Sequence, residues 1–307
     1  MEDFQMEFFT GLGILVFLIY LVKFLKFLKY IFPDTWSPQP KTFFCSMGEW
    51  AVVTGGSDGI GKAYALELAK RGLNIILISR TLEKLKNVAA EIEQSTGRRV
   101  KIIQVDFTKK DIYQRIQENL RDLEIGVVVN NVGMLFHNVP CRFLENNEDP
   151  YQDQSNLIHC NITSVVKMTQ MILPQMVERS KGLIINVSSS VGTFPCPLYS
   201  MYSASKSFML NFSRGLHAEY ESKGIIIQCV APFGVSTNMS ASTKSSLPMM
   251  DPGDFARESL KYVSFGDMTF GCLAHEIQGF ILSRIPLWIM HTDKAQEKML
   301  TCLKAYS

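Results

Sequence analysis

Tyr202 and Lys206 stand four residues apart in the segment Tyr202-Ser-Ala-Ser-Lys206. On a helix, this spacing places both side chains on one face. A free tyrosine, with a pKa of about 10, releases its proton reluctantly at neutral pH. A nearby ammonium favours the phenolate, so we expect Lys206 to lower the pKa of Tyr202 and to suit it to general acid/base catalysis. The same spacing is common on solvated helix faces, so the pair alone does not define a site.

Ser189 follows the apolar run Leu183-Ile-Ile-Asn-Val187 and precedes Tyr202 by thirteen residues. The β-branched run predicts a buried parallel strand that ends in a loop. Ligands of open α/β sheets bind at the carboxyl ends of the strands. Ser189 is therefore a candidate to hydrogen-bond a carbonyl oxygen that Tyr202 protonates. A polar turn without catalytic function is the alternative.

A glycine-rich turn, Gly55-Gly-Ser-Asp-Gly59-Ile-Gly61, lies between a short predicted strand and a predicted helix over 62–70. Strand, glycine-rich turn and helix together are the context of a dinucleotide site. The first glycine permits the tight turn, the second lets a pyrophosphate approach the backbone, and the third lets the helix pack on the strand. The predicted cofactor contacts here are Gly55, Ser57, Gly59, Ile60 and Gly61.

Arg80 ends the next predicted strand, at the position where NAD-preferring sites usually carry a carboxylate. A guanidinium binds a ribose 2′-phosphate, whereas a carboxylate repels it. A contact of about 1.5 to 3 kcal/mol gives roughly a tenfold to hundredfold preference for NADP(H). A surface arginine is the alternative, and Lys84 or Lys86 could take part of the role.

These motifs occur in one order along the chain: Thr54-Gly-x-x-x-Gly-Ile-Gly61, Asn130-Asn-Val-Gly133, Asn161, Ser189 and Tyr202-x-x-x-Lys206. Together they resemble the classical short-chain dehydrogenases/reductases, from about residue 48 to about residue 270. The resemblance implies an α/β fold, a Rossmann-type doubly wound parallel sheet in a single catalytic domain. It also implies hydride transfer between NADP(H) and a carbonyl group, and commonly a homodimer.

The resemblance assigns catalytic roles to four residues. Tyr202 is expected to donate a proton to the ketone and Ser189 to polarise its oxygen, so both contact the substrate. Lys206 is expected to lower the pKa of Tyr202 and to hold the nicotinamide ribose. Asn161 is expected to position a water that links Lys206 to solvent.

Further cofactor contacts follow from the same resemblance. Asp106 is expected to contact the adenine, and Asn130 to line the cofactor cleft. The family's usual Pro-Gly-x-Val-x-Thr appears here as Pro232-Phe-Gly-Val-Ser-Thr237, with the glycine displaced by one residue. Contacts to the nicotinamide end of the cofactor are expected from Val235 and Thr237.

Two stretches, Asn130–Leu135 and His159–Thr169, resemble a membrane-anchored branch of the family that reduces 17-ketosteroids to 17β-hydroxysteroids. The expected reaction is NADPH-dependent reduction of androstenedione to testosterone. A related anchored branch reduces very-long-chain 3-oxoacyl-CoA in fatty-acid elongation, and this is the second candidate. A third candidate, a scaffold without chemistry, is disfavoured because the four catalytic positions are intact.

The amino terminus carries an uncharged run, Phe8–Val22, followed by lysines that alternate with large apolar residues. A membrane span needs about 20 residues, and snorkelling of the first lysines can extend the run. Acidic residues precede the run and lysines follow it, which predicts a catalytic domain in the cytosol. The resemblance to the 17-ketosteroid reductases implies the endoplasmic reticulum membrane. A helix lying in the membrane interface is the alternative.

The predicted organisation has four parts: a hydrophobic anchor over residues 1–32, a linker over 33–47, the reductase domain over 48–270 and an apolar extension over 271–307. The alternation of strand and helix motifs predicts one sheet, and the 47% hydrophobic composition suits a sizeable core. The expected partners are a small apolar ketone and membrane lipid. The ketone is expected to contact Met239, Met249 and Met250 and an apolar wall around Phe194–Tyr199, unless these residues are core.

Composition disfavours other classes of function. The net charge is +2, and apart from the lysines that follow the apolar amino-terminal run, no basic run with interleaved aromatic residues is present, so nucleic-acid binding is not expected. The seven cysteines include no C-x-x-C spacing. We therefore expect no metal site, and reduced thiols as in a cytosolic compartment.

Replacing Arg80 with aspartate tests the predicted cofactor preference. We expect Arg80→Asp to lower the preference for NADPH over NADH by roughly tenfold to hundredfold, because a carboxylate repels the 2′-phosphate. The measurement is KM for both cofactors. Lys70→Asp makes the same charge change at the far end of the predicted helix over 62–70 and is the matched control. An unchanged ratio in Arg80→Asp would refute the assignment.

Overall fold

The computed structural model describes residues 2–31, 33, 38–135, 140–144, 150–239 and 249–304. The chain divides into two compact units, Met1–Pro40 and Lys41–Ser307.

The first unit is built on one long helix, α1 (Glu2–Ile31). Its segment Phe4–Leu25 is 22 residues long, apolar and exposed along its whole length. At 1.5 Å per residue such a segment is about 33 Å long, which matches a hydrocarbon core of about 30 Å. By length and composition, α1 is therefore a candidate membrane anchor.

The second unit contains one seven-stranded sheet whose paired strands all run parallel, in the order β3-β2-β1-β4-β5-β6-β7. The order reverses direction between β1 and β4, which opens a crevice at the carboxyl ends of these strands. The Rossmann-type doubly wound sheet expected from the sequence is thus confirmed. The strands are β1 (Trp50–Thr54), β2 (Asn74–Ser79), β3 (Val100–Gln104), β4 (Ile125–Asn130), β5 (Gly182–Val187), β6 (Ile225–Val230) and β7 (Met268–Thr269).

Helices cover both faces of the sheet. They are α2 (Gly59–Lys70), α3 (Leu82–Thr96), α4 (Tyr113–Leu120), α5 (Pro150–Ile158), α6 (Ser164–Glu178), α7 (Ser200–Tyr220), α8 (Pro252–Ser259), α9 (Leu273–Leu282), α10 (Leu287–Met290) and α11 (Asp293–Lys304). A π-helical turn, His159–Thr163, joins α5 to α6.

Two apolar layers hold the helices to the sheet. Ala51 and Val53 face one layer, where α2, α3 and α8 pack, whereas Trp50 and Val52 face the other, where α4 and α6 pack. Successive strand residues point to opposite faces, so a strand buried on both sides needs an uninterrupted apolar run. This is why β1, β2, β4 and β5 are rich in valine, isoleucine and leucine.

Residues 41–47 of the predicted linker belong to the second unit, because Phe44 and Met47 pack into the first of these layers. Helices α9, α10 and α11 of the predicted extension follow the edge strand β7 and belong to the same unit. The predicted domain boundary at residue 270 stays a prediction.

Gly61 and Gly215 provide a matched test of this packing. A Cβ on Gly61 would overlap the carbonyl oxygen of Gly55 and the amide of Asn131, whereas a Cβ on Gly215 in α7 would meet nothing within 4 Å. We expect Gly61→Ala to lower the free energy of unfolding by about 1–3 kcal/mol. We expect Gly215→Ala to raise it by about 0.5–1 kcal/mol, because alanine loses less backbone entropy in a helix. Denaturant titration of the detergent-solubilised protein measures both. Equal effects would contradict the proposed close approach at Gly61.

Candidate active site

The glycine-rich turn forms a concave backbone surface at the carboxyl end of β1. Gly55 and Gly59 adopt positive φ angles of 65° and 51°, which side-chain-bearing residues rarely adopt. Asp58 begins α2, and its carboxylate accepts a hydrogen bond from the N–H of Gly59 at 2.8 Å. A Cβ on Gly59 would lie 3.0 Å from Cγ2 of Thr237, so the loop after β6 lies directly over the turn.

Asn131 holds the turn against the end of β4. Its side-chain amide donates to the carbonyl oxygens of Thr54, at 3.0 Å, and Gly55, at 3.3 Å. The hydroxyl of Thr54 accepts hydrogen bonds from the backbone N–H groups of Asn131 and Val132, each at 3.0 Å. These bonds join the two strands that border the crevice.

The Asn130 side chain is buried, and the lining of the cofactor cleft by this residue stays a prediction. The residue is 1% exposed, and its amide donates to the Asn186 carboxamide oxygen at 2.8 Å and to the Thr169 hydroxyl at 3.3 Å. Neighbouring strand residues point to opposite faces, so the Asn130 side chain lies beneath the sheet edge while the Asn131 side chain contacts the turn.

The basic side chains around the turn differ in their ion-pair partners. Lys84 pairs with Asp58 at 2.9 Å, and this hydrogen bond lowers the pKa of the Asp58 carboxyl. Asp58 also accepts a hydrogen bond from the Asn238 amide. Lys86 pairs with Glu83 at 3.5 Å. Arg80 is exposed and has no ion-pair partner within the described parts of the chain. The predicted share of Lys84 or Lys86 in the phosphate contact stays a prediction.

The remaining predicted cofactor residues lie along the same sheet edge. The Ser57 hydroxyl is 2.9 Å from that of Ser79, at the end of β2. Asp106 follows β3, and its carboxylate accepts hydrogen bonds from the N–H and the hydroxyl of Thr108, at 3.0 and 2.9 Å. Ile60 is partly exposed in the first turn of α2. Val235 is buried and pairs with Met250 after β6.

Lys206 is buried between α7 and the carboxyl end of β5. Its ammonium donates to the carbonyl oxygen of Val187 at 3.0 Å and lies 5.7 Å from the centroid of the Tyr202 ring. The Ser188 hydroxyl donates to the backbone carbonyl of Lys206 at 2.7 Å. A Cβ on Gly192 would lie 2.7 Å from the carbonyl carbon of Lys206, so α7 approaches this loop closely.

The Ser189 side chain lies beside the Tyr202 phenol, as the sequence predicts, and interacts with it. The expectation that Lys206 lowers the pKa of Tyr202 is wrong for the protein alone. Burial is the largest cause and raises the pKa of Tyr202 to about 12. The Ser189 side chain lowers this pKa only in part, and the neighbouring Tyr199 raises it further.

Burial has the corresponding effect on the cation. Lys206 is 4% exposed, and its desolvation lowers the pKa of the ammonium to about 8. The interior therefore favours the neutral form of both members of the pair. At pH 7 Lys206 still carries its proton, and Tyr202 is a neutral phenol.

Asn161 lies in the π-helical turn His159–Thr163 and is fully buried. Its amide donates to the Met134 carbonyl and to the Ser205 hydroxyl, both at 3.0 Å, and its carboxamide oxygen accepts from the Met134 N–H at 2.8 Å. Asn161 thus fixes the loop after β4 against α7, one residue from Lys206. A water relay through Asn161 stays a prediction.

The residues predicted to contact the ketone differ in their exposure. Phe194, Pro197 and Tyr199 are partly exposed after β5, and Leu198 is buried with a positive φ of 69°. Such a conformation in a leucine stores strain, which clusters at functional sites. Of the predicted methionines, Met239 is 43% exposed and Met250 packs on the core. Residues 240–248, between Met239 and Met249, lie outside the described residues.

Five residues that position the site received no role from sequence reasoning: Asp58, Asn131, Ser188, Gly192 and Asn238. Asp58 and Asn131 stand inside recognised motifs, so their positions alone could have drawn attention. The long-range contact between Asn238 and Asp58 leaves no signal in local spacing. Within the described residues, no group of three or more potential metal ligands is present.

The family model described as short chain dehydrogenase matches residues 49–248. The chain therefore belongs to the short-chain dehydrogenase/reductase family and is an oxidoreductase.

Individual relatives match a larger share of the chain than the family model does. The 17-beta-hydroxysteroid dehydrogenase type 3 of Homo sapiens is 53% identical over 306 residues, covering 100% of this chain and 97% of the relative. The very-long-chain 3-oxoacyl-CoA reductase of Anas platyrhynchos is 50% identical over 243 residues, covering 78% and 77%. Among solved structures, a short-chain dehydrogenase from Sphingobium yanoikuyae in complex with NADPH is 26% identical, with a TM-score of 0.66, covering 78% of this chain and 96% of that chain.

The buried Lys206 ammonium predicts a pH dependence of stability. Its pKa is about 8 in the folded chain and about 10.4 in the unfolded chain, so between these values the unfolded state binds more protons. Stability from this group therefore rises with pH across this window, by up to about 3 kcal/mol. We expect the free energy of unfolding of the parent, relative to Lys206→Met, to increase between pH 7 and pH 10. Denaturant titrations at both pH values measure it. A constant difference would contradict the lowered pKa.

Proposed function

We propose that this chain reduces 17-ketosteroids to 17β-hydroxysteroids with NADPH, with androstenedione to testosterone as the preferred reaction in androgen biosynthesis. The observation that carries the proposal is the 53% identity to a 17-beta-hydroxysteroid dehydrogenase type 3 over the whole chain, including the anchor helix. The intact arrangement of Ser189, Tyr202 and Lys206 supports catalysis rather than a scaffold role.

The cofactor proposed is NADP(H), and the residues present fit it. The glycine-rich turn is a backbone surface that a Cβ would fill, and it leads directly into the amino terminus of the twelve-residue helix α2. Arg80, without a carboxylate partner among the described residues, is suited to the 2′-phosphate. A solved relative is complexed with NADPH. When bound, the cofactor supplies the hydride.

The proposed catalytic step centres on the neighbouring side chains of Tyr202 and Ser189. Two hydroxyl donors that lie side by side can both bind a single ketone oxygen. Tyr202 donates its proton to that oxygen, while the Ser189 hydroxyl stabilises the negative charge that develops there. A phenol with a pKa of about 12 holds its proton throughout the neutral range, so it starts the reaction in the donor form.

Lys206 has a second proposed role beside Tyr202. With a pKa of about 8, its ammonium exchanges protons readily near neutral pH, which suits it to restore the proton that Tyr202 loses. It is also the proposed contact to the nicotinamide ribose. Asn161 positions the segment that carries it, through the Ser205 hydroxyl, and is the proposed anchor of a water to solvent. Asp106, Val235 and Thr237 are the proposed contacts at the two ends of the cofactor.

The second candidate, reduction of very-long-chain 3-oxoacyl-CoA, rests on the 50% identity to such a reductase over 78% of this chain. Both candidate substrates are apolar ketones, so the Tyr202 and Ser189 pair serves either one. The proposed location is the endoplasmic reticulum membrane, with the catalytic unit on the cytosolic side, because acidic residues precede α1's apolar segment and lysines follow it. A homodimer is the proposed oligomer.

Membranes that contain the expressed protein, assayed with NADPH and either androstenedione or a long-chain 3-oxoacyl-CoA, test the function. We expect turnover of androstenedione, and a fall in kcat of about 10²- to 10⁴-fold in Tyr202→Phe with unchanged NADPH affinity, because only the proton donor is removed. Tyr220→Phe, at the far end of α7, is the matched control. Turnover of the acyl substrate alone would favour the second candidate. Full activity in Tyr202→Phe would refute the mechanism.

A further inference from the structure

Seven large apolar side chains are exposed between residues 277 and 289, on α9, α10 and the segment that joins them. They are Ile277 (42% exposed), Phe280 (58%), Ile281 (57%), Ile285 (38%), Leu287 (43%), Trp288 (72%) and Ile289 (44%). We call these residues the α9–α10 face. Single exposed apolar residues are ordinary, but a contiguous set marks an interaction surface.

The fold does not allow α9 to rotate this face inward. Gly279 lies on the opposite side of the helix, where a Cβ would overlap the ring of Phe270. Glu276 accepts hydrogen bonds from the hydroxyl of Thr269 and the N–H of Phe270, both at 2.7 Å. The inward side of α9 is thus fixed to β7, while Ile277, Phe280 and Ile281, spaced three and four residues apart, share the outward side.

Charge and aromatic content narrow the choice of occupant. The segment from Ile277 to Met290 contains one basic residue, Arg284, and no carboxylate. The guanidinium of Arg284 stacks on the Phe280 ring at 3.7 Å. An apolar surface that carries an exposed tryptophan and an arginine matches the boundary between acyl chains and lipid headgroups.

A bilayer is also within reach of the second unit. The apolar helix α1 belongs to the same chain, and nine residues, 32–40, join it to the second unit. Nine extended residues span at most about 30 Å, so a membrane that holds α1 keeps the second unit close to its surface. A surface held there gains contact with lipid at little additional entropic cost.

We propose that the α9–α10 face docks on a lipid bilayer, with the side chains of Phe280 and Trp288 among the acyl chains. This docking would also bring one wall of the active site to the membrane. His291, just after α10, hydrogen-bonds the carbonyl of Pro195 at 3.0 Å, in the loop between Ser189 and Tyr202. An apolar ketone dissolved in the membrane then has a short path to that loop.

Tryptophan quenching in the full-length protein tests the docking. The protein carries Trp36→Phe and is reconstituted in phosphatidylcholine vesicles whose acyl chains are brominated at shallow or deep positions. The Trp288 signal is the difference from the same protein with Trp288→Phe. We expect bromine at shallow positions to remove about half of this signal and deep bromine less, because such faces enter the membrane by about 5–10 Å.

A tryptophan at the far edge of the sheet is the matched control. Gln94 is exposed at the end of α3, where Glu93 contacts the N–H of Val100 in β3. Six strand spacings, roughly 30 Å, separate β3 from β7. We expect Gln94→Trp, in the Trp36→Phe and Trp288→Phe background, to show no quenching.

Two results would overturn the proposal. One is quenching of Trp288 no greater than that of Gln94→Trp. The other is a protein whose Trp288 is not quenched and which forms a dimer that Phe280→Glu dissociates. That result would assign the α9–α10 face to contact with a second copy of the chain. Because the readout is fluorescence in protein without substrate, the outcome is independent of the proposed steroid reaction.

Discussion

Lys206 is a buried ammonium, and the contact between β5 and α7 is arranged around it. An unpaired charge in the interior costs several kcal/mol, so the chain must bring a polar acceptor to it. The carbonyl of Val187 is that acceptor, because β5 ends there and its last carbonyl is free to turn toward α7. The neighbouring loops must then approach closely, and glycine occupies both points of contact: a Cβ on Gly133 would lie 3.2 Å from the Lys206 ammonium, and one on Gly192 would meet its backbone.

A layer of buried amides and hydroxyls extends this arrangement along the strand ends. Asn130 donates to Asn186 on the adjacent strand, and Asn186 donates to the Ser213 hydroxyl of α7 at 2.9 Å. The Asn161 amide likewise donates to the Ser205 hydroxyl of α7. Buried polar groups cost free energy unless they are hydrogen-bonded, so a shift of α7 relative to β5 would break several bonds together. The layer therefore fixes the register of the helix that carries Tyr202 and Lys206.

The sequence predicted most of what depends on local pattern. The apolar strands, the glycine-rich turn and the order of motifs determine the sheet and the place of Ser189, Tyr202 and Lys206. Contacts between distant segments could not be predicted in the same way. The burial of the Asn130 side chain depends on strand alternation at one residue, and the pairing of Lys84 with Asp58 depends on how α3 packs beside α2. The segment 41–47 follows a proline-rich stretch and was therefore predicted to belong to the linker, yet Phe44 is buried.

The titration of Tyr202 is where local pattern and structure disagree most. The spacing of four residues between Tyr202 and Lys206 predicts that the ammonium lowers the pKa of the phenol. That argument holds only where the phenolate keeps its hydration. In the folded chain both side chains lose water, and desolvation raises the pKa of Tyr202 to about 12 and lowers that of Lys206 to about 8. A neutral phenol is the form that gives a proton to a ketone, whereas oxidation of an alcohol requires the phenolate. The protein alone thus holds Tyr202 in the form required for reduction, and the phenolate would need a closer cation than Lys206.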